Sequence, residues 1–178
     1  MEYLSSIKEV VLVGLNPTEQ ALKHNAVFCQ TNGLWEIIKH SNLMPNGIIY
    51  DEIHLSTEVD GKYKYFANKI FGINTNLGFL DLAPDVYEKK SKDVKVSQQQ
   101  RDALWLKLSM TNVKKIGLLG KRVTRELYPN LKKSKFNYGK IDVKNQIGKN
   151  QVEVYCIPFP ETVPIKKEDK ITLYNTVK

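Results

Sequence analysis

Cysteine is nearly missing from this chain: Cys29 and Cys156 are the only two in 178 residues. Two thiols exclude a disulfide scaffold and a four-cysteine cluster, and they suit a reducing cytoplasm. Histidine is almost as scarce. His24, His40 and His54 show no zinc spacing, so neither metal nor cofactor is expected. No apolar run approaches the roughly 18 residues that span a bilayer. The first residues, Met1-Glu2-Tyr3-Leu4, place no basic region before a long apolar core, so no secretory signal and no membrane partner are expected. Internal repeats and low-complexity segments are absent.

What is present is an ordinary globular composition, 42% hydrophobic and 26% charged. Its length suits one domain over residues 1–178 with a full core. The net charge of +8 is unevenly spread. Residues 89–149 hold 17 Lys and Arg against 4 Asp and Glu, whereas residues 1–88 hold 6 against 11. Clustered cations release counterions from phosphates and so suit a polyanion. Charge alone fits a solvated lysine-rich surface equally well, the Lys132-Lys133-Ser134-Lys135 cluster included.

Hydrophobic patterning alternates between strands and helices. Val10-Val11-Leu12-Val13 is short, β-branched and closed by Gly14 and Pro17, which favours a buried strand. A polar loop over 18–31 follows, then a helix opened by Asn32 with Leu34, Ile37 and Ile38 on one face. Pro45-Asn46-Gly47 ends that unit, and Ile48-Ile49-Tyr50 suggests a short extended piece. Residues 54–92 resist assignment, apart from an apolar Phe79-Leu80-Asp81-Leu82 segment closed by Pro84. Ser97 and Gln100 form a capping-box pattern that predicts a helix of about fifteen residues with Leu104 and Leu108 buried. Residues 113–119 read as a second core strand that turns through Gly120-Lys121 into a short helix ending before Pro129. A final strand over 151–157 and a helix over 166–176 complete the chain. The expected fold class is α/β, with helices on both faces of a mostly parallel sheet.

Ligands of such sheets gather at the carboxyl ends of the strands. Three loops meet that condition: residues 14–17, 120–122 and 158–164. In the first, Pro17 restricts Asn16 to extended or turn geometry and so fixes the direction of its amide. Asn before Pro is also a common turn former.

Taken together, these residues resemble the uracil-DNA glycosylase superfamily, in particular its mismatch-specific uracil/thymine branch. Gly14-Leu15-Asn16-Pro17 matches that branch's first motif. Phe28 and Asn32-Gly33-Leu34-Trp35 fall near the spacing of its base-stacking Phe and the helix start that follows. Leu118-Leu119-Gly120-Lys121 resembles its strand-to-helix turn, and Phe136-Asn137-Tyr138-Gly139-Lys140 its aromatic-Gly-Lys segment. Ile157-Pro158-Phe159-Pro160 stands where its second motif belongs. There the chain departs from the pattern. The branch reads Asn-Pro-Ser-Gly-Leu-Ser, and this sequence reads Phe159-Pro160-Glu161-Thr162-Val163-Pro164. Phe159 replaces a hydrogen-bonding side chain, and Glu161 sets a carboxylate against phosphates.

The resemblance implies a three-layer α/β/α sandwich around a central, mostly parallel four-stranded sheet. It implies a monomeric enzyme that flips a deaminated or mismatched base out of DNA and hydrolyses its glycosidic bond. Asn16 would position the water. Gly14, Leu15, Pro17, Phe28 and Asn32 would form the base pocket. Gly120, Lys121, Arg122, Lys140, Phe159, Pro160, Glu161 and Thr162 would meet the DNA. The altered second motif keeps open a nucleic-acid-binding member with lost or changed chemistry. A Rossmann-type nucleotide domain ranks last, because no Gly-rich phosphate fingerprint follows the first strand.

Overall fold

The computed structural model describes residues 2–23, 27–28, 32–45, 67–87, 90–131, 136–143, 145–148, 150–160 and 163–178. In chain order the strands are β1 (Glu2–Tyr3), β2 (Val10–Gly14), β3 (Leu77–Asp81), β4 (Lys115–Leu119), β5 (Gly139–Ile141), β6 (Gln146–Ile147), β7 (Asn150–Gln151) and β8 (Glu153–Ile157). The helices are α1 (Glu19–Lys23), α2 (Asn32–His40), α3 (Gln98–Ser109), α4 (Lys121–Leu127) and α5 (Lys167–Asn175). Residues 67–71 are helical as well.

Six strands form the central sheet in the order β1-β3-β2-β4-β8-β5, and β6 pairs with β7 apart from it. The inner four, β3, β2, β4 and β8, are parallel, while β1 and β5 run antiparallel at the two edges. The expected four-stranded sheet is therefore corrected to a mixed sheet of six. The added strands have only two and three residues, too few to show a period of two. The final strand is also shorter than expected: Val152 interrupts 151–157, so that β7 and β8 belong to different sheets.

Alternation along each inner strand divides the core into two. Leu12, Leu77, Phe79 and Ile157 face one cluster, which Leu34, Ile37 and Ile38 of α2 and Tyr174 of α5 complete. Val11, Val13, Leu80, Ile116, Leu118 and Val154 face the other, closed by Leu104 and Leu108 of α3 and Val123 and Leu127 of α4. Helices thus cover both faces, an arrangement compatible with three layers. Strands buried on both faces lose the polar alternation of a surface strand, which is why β2 reads as an unbroken apolar run. The capping box at α3 forms as its sequence predicts, and the helix stops after 12 residues.

Among the described residues, Lys8, Asp81, Glu126 and Lys170 are charged side chains that lie inside. Lys8 is buried, and its ammonium donates to the carbonyls of Phe71 at 3.0 Å and Thr75 at 2.8 Å and also to that of Gly72. It thereby caps the end of the helical residues 67–71, where helix carbonyls lack partners. Among the described residues, no helix is long and apolar enough to cross a membrane.

Candidate functional site

A cavity of about 610 Å³ opens at the carboxyl ends of the parallel strands. Loops after β2, β3, β4 and β8 converge on it, because parallel strands deliver all four to the same edge. Gly14, Leu15 and Asn16 enter from β2, Asp81 ends β3, Gly120, Lys121 and Arg122 follow β4, and Phe159 follows β8. Phe28 and Tyr138 add aromatic walls.

The β2 turn is held from both sides. The Gly14 and Leu15 carbonyls accept from the amides of Leu82 at 3.0 Å and Ala83 at 2.8 Å. The Asn16 amide Nδ2 donates to the carbonyls of Pro17 and Val86, each at 3.2 Å. Those two bonds fix the amide plane. They direct the chemistry of this side chain toward Oδ1, an acceptor with two lone pairs.

Phe28 has a left-handed backbone, φ 54°, costly for a residue with a bulky side chain. Its surroundings hold that conformation. The Trp35 indole Nε1 donates to the Phe28 carbonyl at 3.3 Å, and the Trp35 ring meets the Phe28 ring edge-on at 5.9 Å. On the sheet side the Phe79 ring lies 4.6 Å from that of Phe28. Half-buried, Phe28 reaches both the aromatic core and the cavity.

The loop after β8 is pinned by α5. The buried Tyr174 hydroxyl donates to the Pro158 carbonyl at 3.1 Å, and the buried Lys170 ammonium donates to the Pro160 carbonyl. Phe159, between these anchors, is presented to the cavity. After the adjacent strand β4, Gly120 takes φ 100°, where a β-carbon would be strained, and α4 begins with Lys121. The Lys121 ammonium lies 5.1 Å from the Tyr138 ring centre and 5.6 Å from that of Phe136.

Not every expected residue gathers here. Pro17 and Pro160 are buried and do not line the cavity; the Pro17 carbonyl accepts from Asn16, and the Pro160 carbonyl from Lys170. Arg122 lines the cavity but bonds Glu126 at 2.8 Å and the Val94 carbonyl at 3.1 Å. Lys140 lies on the edge strand β5, paired with Glu153 and apart from the cavity. Asn32 opens α2 as expected. Glu161 and Thr162 lie outside the described residues, as do Cys29, the Lys132–Lys135 cluster and Ile48-Ile49-Tyr50.

Asp81 was not among the expected site residues, although Asp81-Leu82-Ala83-Pro84 stands where the resembled family has an Asp-Arg-Pro segment. It pairs in register with Gly14, and a β-carbon on Gly14 would fall 2.7 Å from Asp81 Oδ1 and 3.1 Å from the Phe79 ring. The carboxyl therefore lies directly against the Gly14 backbone, on the sheet face that carries Phe79. Only 7% of Asp81 is exposed, and burial pushes its carboxyl up to about 7. A perturbed carboxyl in a cleft marks a functional site on physical grounds. The available signal was a charged residue inside an apolar segment ending at Pro84. Among the described residues, no group of three His, Cys, Asp or Glu side chains is placed to hold a metal ion.

Fold and site define an α/β protein with an aromatic-walled cavity at the carboxyl ends of its parallel strands, lined by Lys121 and Arg122 and by Glu19 and Asp81. Compared with family models and with curated proteins, the sequence matches none.

Proposed function

We propose that this protein is a monofunctional DNA N-glycosylase with a uracil-DNA glycosylase-like three-layer fold. It acts on uracil or a related deaminated or mismatched base. The observation that carries the reading is the Asn16 carboxamide, fixed by two carbonyls at the wall of a cavity that also holds Phe28. A flipped base needs an aromatic face and a pocket, and Phe28 and the hollow of about 610 Å³ fit those needs. Cleavage passes through an oxocarbenium-like sugar. An amide cannot take a proton as a carboxylate does, so Asn16 positions the attacking water without deprotonating it. Slow turnover follows. Lys121, at the rim, meets a phosphate of the strand.

The test uses single- and double-stranded oligonucleotides carrying uracil, a G·T mismatch, hypoxanthine or an etheno-base, followed by alkaline cleavage of abasic sites. Shortened strands are expected with the wild type. Asn16→Ala is expected to lose about 100-fold or more in rate through lost positioning. Its fold should persist, since losing its hydrogen bonds removes only about 1–2 kcal/mol. Equal rates in variant and wild type refute the role of Asn16.

A nucleic-acid-binding member without cleavage is the second reading. Phe159 favours it, because it lines the cavity where the resemblance calls for a hydrogen-bonding side chain. Binding without base release selects that reading.

A further inference from the structure

Helix α4 sorts its charges onto two sides. Arg122 and Glu126 form an i, i+4 pair on one side, and the buried Glu126 also takes Arg101 at 2.8 Å. Lys121 and Arg125, equally spaced, lie on another. Among the described residues, no carboxylate pairs with either of them. They share an aromatic ring instead: the Arg125 guanidinium carbon lies 5.4 Å from the Phe136 centre, and the Lys121 ammonium 5.6 Å. Tyr138 backs Lys121 from the cavity side.

Two like charges one helical turn apart repel and weaken the helix. The Arg125 Nε is sealed from water and has no hydrogen-bond partner, a state that native proteins seldom leave without a reason. Both cations also act electrostatically on the buried Cys156 thiol. Burial pushes that thiol up, while a Thr124 hydrogen bond, Lys121 and Arg125 pull it back. The two positive groups thus converge, are held against rings that restrict their motion, and lack a counter-charge. Aromatic faces hold a cation without neutralising it. A guanidinium fork and an ammonium point charge together suit a phosphate group.

We propose that Lys121 and Arg125, held by Phe136 and Tyr138, form a phosphate-binding site beside the cavity that Lys121 and Tyr138 line. Its occupant is the diester beside the nucleotide whose base enters the cavity. The proposal rests on the nucleic-acid part of the reading above and is independent of base cleavage. The uncompensated repulsion between the two cations is then the feature of a site arranged ahead of its anion. The proximity of Lys121 and Tyr138 to the cavity explains why the phosphate and the base would belong to one strand.

The test measures binding of a labelled single-stranded oligonucleotide by the full chain across a salt series. Arg125→Gln is expected to weaken binding at low salt about tenfold and to flatten the log–log salt slope by about 0.7, the loss of one phosphate contact. Arg125→Lys, which keeps the charge, should retain the slope. Lys114→Gln is the control: that lysine pairs with Glu9 near the amino ends of β2 and β4, away from the cavity, and should change nothing. Should Arg125→Gln not fold, Lys121→Gln carries the same expectation. A second arm follows thermal stabilisation by inorganic phosphate. Stabilisation lost in Arg125→Gln with an unchanged oligonucleotide slope assigns the site to a small phosphorylated ligand and overturns the strand assignment. No change in either arm overturns the site. A wild type that binds strand through Arg125 yet releases no base defeats the glycosylase reading alone. Base release with a slope indifferent to Arg125 defeats the phosphate site alone.

Discussion

Replacing Asp81 with Asn should stabilise the protein at neutral and alkaline pH and hardly at all in acid. Asp81 is 7% exposed, its carboxyl lies against the Gly14 backbone, and burial pushes that carboxyl up to about 7 against the opposite pull of the amino-terminal charge. Its ordinary value is 3.8. A folded-state value above the unfolded one means that the folded chain binds the extra proton between those limits. Stability from this group is therefore complete below about pH 4 and is lost as pH rises through about 7. A displacement of that size corresponds to roughly 4 kcal/mol between the two charge states. Asp81 borders a cavity, so rotation toward water relieves part of it, and about 2 kcal/mol is the expected effect at pH 8. Asn keeps the shape and removes the ionisation. The assay is urea unfolding of wild type and Asp81→Asn at pH 5 and pH 8. The variant should gain stability relative to wild type as pH rises, read as a urea midpoint that moves up relative to that of the wild type. A difference that is equal at both pH values, or a variant less stable at pH 8, refutes the burial argument. A carboxyl kept at such a cost to stability is what a working site is expected to contain.

Two further substitutions test the scaffold. Gly117 lies mid-sheet in β4, where a β-carbon would fall 2.8 Å from Leu12, 3.0 Å from Ile157 and 3.4 Å from Val177. Gly117→Ala should destabilise by about 1–2 kcal/mol through overpacking, read from chemical denaturation, and an unchanged midpoint contradicts the packing account. Arg101→Ala leaves the buried Glu126 with Arg122 alone and removes the bond from Arg101 Nε to the Glu126 carbonyl at 2.7 Å. About 3 kcal/mol should be lost, and a loss below about 1 kcal/mol would show that Arg122 suffices to hold that carboxylate.

The legible parts of this fold share a cause. β2, β4 and most of β8 are buried on both faces; the apolar runs of β2 and β4 and the alternation of Val152, Val154 and Cys156 identify them without any partner in view. The capping box of α3 and the apolar face of α2 are equally local. β3 was visible only as an apolar segment, because Gly78 and Asp81 interrupt its pattern. Its place beside β2 comes from pairing with residues more than sixty positions away. β1 and β5 owe their strand geometry to the partner they add to, and no two- or three-residue segment carries that information.

The sequence by itself determined the residues that punctuate the inner strands and so the position of Asn16 at a carboxyl end. Those signals are steric and hydrophobic, and they act within a few residues. Only the tertiary structure decided what surrounds that amide. The Val86 carbonyl that orients it, the Phe79 ring behind Phe28, the Asp81 carboxyl over Gly14, and the pairing of Lys121 with Arg125 around Phe136 all come from distant segments. Charge and ring contacts depend on distance in space, and it was the parallel sheet, by bringing four loops to one edge, that made those distances short.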